Sequence, residues 1–184
     1  MVVVNLLETV IDLDAIATNT RILKNLVQPA QLMCVVKADG YNHGAIPVAR
    51  TVLANGADQL GVATLAEALE IREAGITAPI LCWIWSPEQD FSAALDANIH
   101  LAVVSMAHAQ AIVKYAAGKP EKLVQTTIKI DTGLHRSGVD ESQWEAVFTL
   151  LKDAGTATGN IEVTGVMSHL ACADEPGNPA NDTQ

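Results

Sequence analysis

The sequence predicts an α/β fold built on a parallel sheet, and three observations carry that prediction. From Gln31 onward, six short apolar runs alternate with five helical patterns, each unit taking roughly 20 to 40 residues with short connections. The apolar runs are continuous rather than alternating, as expected of strands whose two faces are both covered. Apolar residues make up 49% of the chain and charged residues 17%, enough for a Val, Ile, Leu and Ala interior. At 184 residues the chain is short for a closed (β/α)8 barrel, typically about 250 residues. Two architectures follow: about six of the eight strands of a TIM-barrel-type domain belonging to a longer protein, or a smaller open doubly wound sheet. No Gly-x-Gly-x-x-Gly follows any strand, which removes the usual support for a dinucleotide-binding version of the latter.

The elements read in order. Thr9–Leu13 is a short β-branched run, and Asp14 stands as N-cap of an amphipathic helix over Ala15–Leu26 that Pro29 closes. Gln31–Val36 is the first continuous strand, and Ala45–Asn55 a helix ended by Asn55-Gly56. Gln59–Ala63 is the second strand; Thr64 and Glu67 then form the pattern of a capping box for a helix reaching Ala74. Pro79–Trp85 is the third strand, and Ser86-Pro87-Glu88 predicts a helix running to Ala97. Ile99–Val104, a helix over Met106–Ala117 capped by Ser105, and the strand Leu123–Ile130 follow. Glu141–Ala154 is the last helix, Ile161–Ser168 the last strand, and Gly177–Gln184 a polar loop where a seventh unit is expected to begin.

Composition narrows the function. A formal charge of −10 offers no counter-charge to nucleic acid or an anionic membrane, so small-molecule chemistry is expected. The amino terminus MVVVNLLETV has no basic region, its apolar run is short and Glu8 interrupts it. No apolar stretch approaches the ~20 residues of a membrane span. Cys34, Cys82 and Cys172 are odd in number and widely spaced, which predicts free thiols in a reducing cytoplasm. His169, Cys172 and Asp174 lack the second cluster that a tetrahedral metal site needs, so no metal is expected.

Loops that follow parallel strands converge on one face, and there the chemistry gathers on three of them. After the first strand come Lys37, Asp39, Tyr41 and His43; after the fifth, Asp131, His135 and Arg136; after the sixth, Ser168, His169, Asp174 and Glu175. Lys37 at a strand's carboxyl end is either a surface lysine or, partly desolvated, an amine able to form a Schiff base. In KIDTGLHRSGV, strand periodicity puts Lys129 and Asp131 on one side and Ile128 and Ile130 on the other. Those charges are either a structural ion pair, Asp131 with Arg136 or with Lys129, or a functional set in which Arg136 offers a planar fork to a carboxylate or phosphate.

Taken together, VVKADGYNHG, KIDTGLHRSGV and SHLACADE, in this order and spacing, closely resemble the amino-terminal barrel domain of bacterial alanine racemases. The likeness runs from about Val10 to the last residue and covers about the first half of a typical family member. It implies a (β/α)8 TIM-barrel-type domain, incomplete here, that binds pyridoxal phosphate (PLP) and interconverts L- and D-alanine. By that resemblance Lys37 holds PLP and serves as one of two acid–base groups at Cα. Tyr41 lies at the cofactor phosphate, Arg136 orients the substrate carboxylate, and His169 packs beside the pyridine ring. Lys129 corresponds to a lysine that some members carbamylate. The resemblance also implies a homodimer, a second proton-transfer tyrosine from the partner's β-domain, cytoplasmic location and D-alanine for peptidoglycan. Gly40 and Asn42 stand where the family commonly has Ala and Gly, and Ser137 where a larger apolar residue is frequent. The alternatives are a PLP-binding barrel without catalysis and a racemase of broader substrate range. The 184 residues alone are expected to have weak or no activity, since the second base is not among them.

Overall fold

Six parallel strands lie side by side in chain order: β1 (Met33–Val35), β2 (Gln59–Thr64), β3 (Ile80–Ile84), β4 (His100–Val103), β5 (Val124–Lys129) and β6 (Ile161–Met167). This is a computed structural model, and it describes residues 7–184. An open doubly wound sheet reverses its strand order at a switch point. The unbroken order β1 to β6 has no reversal, and right-handed crossovers then put the helices on one face. The arrangement is the barrel-type one, and the doubly wound alternative falls.

The helices are α1 (Leu13–Val27), α2 (Lys37–Asn42, a single turn), α3 (Ala45–Ala54), α4 (Leu65–Glu73), α5 (Ser92–Asp96), α6 (Met106–Gly118), α7 (Trp144–Thr158) and α8 (Ala180–Thr183), with a 3-10 turn at Glu141–Gln143. One core joins them to the sheet. Leu60 and Val62 of β2, Leu101 and Val103 of β4 and Ile128 of β5 are sealed under Val52, Ile71, Ala109, Ile112 and Leu151 of the helices. In β5 the alternation is explicit: Val124, Thr126 and Ile128 face the helices, while Gln125, Thr127 and Lys129 face the other way. On that opposite face a Cβ at Gly61 would come within 2.9 Å of Trp83 and 3.0 Å of Met33, so glycine there makes room for a tryptophan. Val35, Ile84 and Val166 are exposed.

Several boundaries differ from the sequence reading, each for a local reason. The N-cap of α1 is Asp12, whose carboxylate accepts from Asp14 N and Ala15 N at 3.0 Å, so Asp14 lies inside the helix. The Thr9–Leu13 run forms no strand, because Leu13 already opens α1. Ser86-Pro87-Glu88 does not start a helix: the Gln89 side chain accepts from Ser86 N at 2.9 Å and closes a turn, and only Ser92–Asp96 is helical. Gly177–Gln184 is a loop that ends in the short helix α8. The apolar run at residues 2–7 lies, but for Leu7, outside the described residues. Among the described residues no helix is long and apolar enough to cross a membrane.

Candidate active site

Lys37 leaves the end of β1, and the residues after it turn with the opposite hand to an ordinary helix. Ala38, Asp39, Gly40 and Tyr41 have φ between 52° and 59°, and Asn42 has φ 65°. This is one turn of left-handed helix. Such a conformation costs an L-residue about 1–2 kcal/mol. Gly40 is free of that cost and asparagine tolerates it well, so the two departures from the family pattern both fit the backbone here.

The turn is held by bonds from three directions. Val36 O accepts from Gly40 N at 3.0 Å and Asp39 O from Gly44 N at 3.0 Å. The Asp39 carboxylate accepts from Ala45 N at 2.6 Å, tying the turn to the first residue of α3. His43 Nδ1 lies 2.9 Å from Gly40 O and 3.1 Å from Tyr41 O, and since both are acceptors Nδ1 carries the proton. The third hold comes from α4: Glu67 Oε1 accepts from Ala38 N at 2.8 Å, while Oε2 accepts from Ala63 N at 2.8 Å and Thr64 N at 3.0 Å. Partial burial opposes ionisation of Glu67, but these backbone donors outweigh it and hold the carboxyl below its usual range. Lys37 is partly buried, with Nζ 5.7 Å from the centroid of the exposed Tyr41 ring.

The loop after β5 is built differently. The chain folds back on its own strand, with Val139 N donating to Lys129 O at 2.7 Å and Asp131 N to Val139 O at 3.0 Å. That return passes through Gly138, where φ is 140° and a Cβ would lie 2.6 Å from the backbone of Ile130 and Asp131. Asp131 accepts from Gly133 N at 3.0 Å and His135 N at 3.1 Å, bonds that hold its carboxyl below the usual range, and His135 Nδ1 lies 3.3 Å from it. Neither structural ion pair considered from the sequence forms. Among the described residues Asp131's ion-pair partner is His135, and Arg136 makes no ion pair.

Lys129 is 6% exposed and donates to Ser137 O. Burial pushes its ammonium down from the ordinary lysine value; Asp131 opposes that shift and Arg136 adds to it. His169, just beyond β6, is pushed down first by desolvation and then by Arg136, Lys129 and Lys37. Lys37, Lys129 and Arg136, at the carboxyl ends of β1 and β5, thus all bear on His169 at the end of β6, and Arg136 bears on Lys129 as well. In a chain of net charge −10, three cations gathered beside a neutral histidine suit an anionic small molecule. An accessible amine, a guanidinium fork and an exposed tyrosine are a donor set that fits PLP with an amino-acid carboxylate. Glu175 is taken up in the carboxyl-terminal turn, accepting from Asn178 Nδ2 at 2.8 Å. Among the described residues no three His, Cys, Asp or Glu side chains are grouped to hold a metal ion, His169, Cys172 and Asp174 included. Glu67 is the residue sequence reasoning underused: its capping-box role was legible, its bond to Ala38 was not.

Residues 11–184 match the family model "Alanine racemase, N-terminal domain". The chain is 62% identical over 180 residues to the alanine racemase of Corynebacterium efficiens, covering 98% of this chain and 47% of that protein. It is similar to the crystal structure of alanine racemase from Corynebacterium glutamicum, with TM-score 0.88 and 57% identity over 98% of this chain and 50% of that one. A histidine racemase from Leuconostoc mesenteroides has the same architecture, with TM-score 0.82 and 26% identity over 93% of this chain and 45% of that one. The chain spans about half the length of the relatives it matches.

Proposed function

The chain belongs to the alanine racemase family, in its amino-terminal domain, and from that premise we propose that it is the lysine-bearing half of a PLP-dependent racemase interconverting L- and D-alanine. The observation that supports this best is that Lys37 and Arg136, from two separate strand ends, both act on His169 at a third. When bound, PLP supplies an electron sink for negative charge at the substrate Cα. Lys37 would hold the cofactor and, once released, take or return a proton on one face of that carbon. Arg136, unpaired among the described side chains, offers two parallel donors to the substrate carboxylate and fixes which face is presented. Tyr41 is read as a contact of the cofactor phosphate.

His169 serves this chemistry by staying uncharged. Its proton affinity is lowered by desolvation and by the surrounding cations, so at neutral pH it can pack beside an aromatic ring without adding a fourth positive charge. Lys129 is the least settled member of the set electrostatically: a buried ammonium lies in the field of Arg136, seven residues on. A lowered lysine value raises the fraction of neutral amine, the form that reacts with CO2, and a carbamate there would replace cation–cation repulsion by a pair with Arg136. The reading also includes a homodimer whose partner supplies the second proton-transfer group, a cytoplasmic location and D-alanine for peptidoglycan. Family membership supports these. Alanine is favoured as substrate by the names of the closely similar proteins, and the histidine racemase likeness supports broader substrate range as a second reading.

The test is racemisation by the full-length protein reconstituted with PLP. D-alanine should form from L-alanine, and Lys37→Ala should lower kcat by about 10³-fold or more, the loss of both cofactor anchoring and one acid–base group. Preference for another amino acid would overturn the substrate assignment. Unchanged activity in Lys37→Ala would overturn the mechanism.

A further inference from the structure

We propose that Glu67 is a positioning residue for Lys37: one carboxylate joins the start of α4 to the left-handed turn behind the lysine and so sets where its side chain stands. This inference rests on Lys37 being the cofactor lysine. In an ordinary capping box the N3 side chain reaches back to the N-cap N–H and its work ends there. Here that bond uses Oε2, shared between Thr64 N at 3.0 Å and Ala63 N at 2.8 Å. Oε1 is left over, and it accepts from Ala38 N at 2.8 Å, 29 residues earlier in sequence and on a different strand–helix unit.

Ala38 is the first left-handed residue, with φ 53°, and it directly follows Lys37. A backbone held there needs something to hold it. Among the described residues the only side-chain acceptor on this N–H is Glu67, whose charge strengthens the bond. Releasing Ala38 N lets the turn relax toward ordinary backbone conformations, which swings the Lys37 side chain away from Arg136 and His169. Asp39 secures the far end of the turn on α3, so the near end, beside the lysine, depends on Glu67 alone among the described side chains.

The experiment compares Glu67→Gln with Thr64→Ala in the full-length holoenzyme. Thr64→Ala removes the hydroxyl half of the cap, which accepts from Glu67 N at 3.3 Å, but leaves the carboxylate's hold on Ala38. Glutamine cannot accept at both ends, since its NH2 group is a donor. Both variants should lower the melting temperature by a few degrees, as cap losses do. Only Glu67→Gln should lower kcat, by about 10- to 100-fold for one charged hydrogen bond, with KM for alanine changed less than about three-fold. It alone should also move the pH midpoint of the bound cofactor's visible absorbance, by about half a unit or more. Should Glu67→Gln fail to fold, Glu67→Asp keeps the charge but is one methylene too short to span both sites, and is expected to give the same split. Equal kinetics and absorbance in the Glu67 and Thr64 variants would overturn the proposal and leave Glu67 as a cap. If Lys37→Ala retains the absorbance of the unsubstituted enzyme, both this proposal and the reading of Lys37 fall together.

Discussion

The loops after β1 and β5 deliver the two most telling side chains, Lys37 and Arg136, and they are stabilised in opposite ways. The β5 loop is self-contained: Asp131 takes up the N–H groups of its own turn, Gly138 admits the return, and Val139 bonds back to Lys129 and Asp131. The β1 loop is a left-handed turn that adds to its own backbone bonds and His43 two holds on other elements, Glu67 on α4 and the Ala45 N–H that Asp39 engages on α3. One loop carries its restraints within eleven residues of sequence, KIDTGLHRSGV. The other borrows part of them from its neighbours, so its shape depends on the assembled sheet.

That contrast can be broken most forcefully at Gly138. Its Cβ would meet the Ile130 and Asp131 backbone at 2.6 Å in a conformation that already strains L-residues, so Gly138→Ala should destabilise the protein by about 2–5 kcal/mol. Denaturant titration measures this, and amide exchange should show the β5 loop opening while the β1 turn stays protected.

Acid should come next and strike both loops. Glu67 and Asp131 have folded values below their ordinary 4.5 and 3.8, so in that window the unfolded chain binds more protons. Their contribution is therefore complete above the ordinary values and is lost as pH falls through the lower folded ones. Melting temperature against pH should drop below about pH 4.5, and Glu67→Gln should flatten part of that slope.

Asp131→Asn should act more narrowly. The asparagine still offers one acceptor oxygen but no charge, so exchange at Gly133 and His135 amides should quicken by about tenfold, with Ala38 and Gly40 unaffected. The mildest change is Ala38→Gly, which removes the cost of φ 53° and should stabilise by about 0.5–1 kcal/mol after allowing for the freer unfolded chain. A loss of stability there would mean that the left-handed turn is not the resting conformation.

The same contrast explains what the sequence could reveal. The strand–helix alternation, the parallel sheet and the capping box at Thr64 and Glu67 rest on signals confined to a few residues, and the structure has them. The β5 loop was legible for the same reason, apart from the partner of Asp131, because backbone N–H groups compete with side-chain cations for a carboxylate and leave no mark in composition. The handedness of the Lys37 turn was hidden. Ala38 and Tyr41 give no local hint of positive φ, and the Glu67 contact that sustains it exists only once β1 and β2 pair in register, Met33 beside Gln59 through Val35 beside Gly61. The failed helix at Ser86 is the complementary case: a correct local start signal lost to side chains of Gln89 and Glu88 that close a turn first.

The role of Lys37 is tested most directly by covalent trapping. The full-length holoenzyme is reduced with borohydride, digested, and the cofactor-bearing peptide sequenced. A single modified residue is expected, Lys37, in the peptide containing VVKADGYNHG. Modification of Lys129 or of any other lysine, or of none, would contradict it.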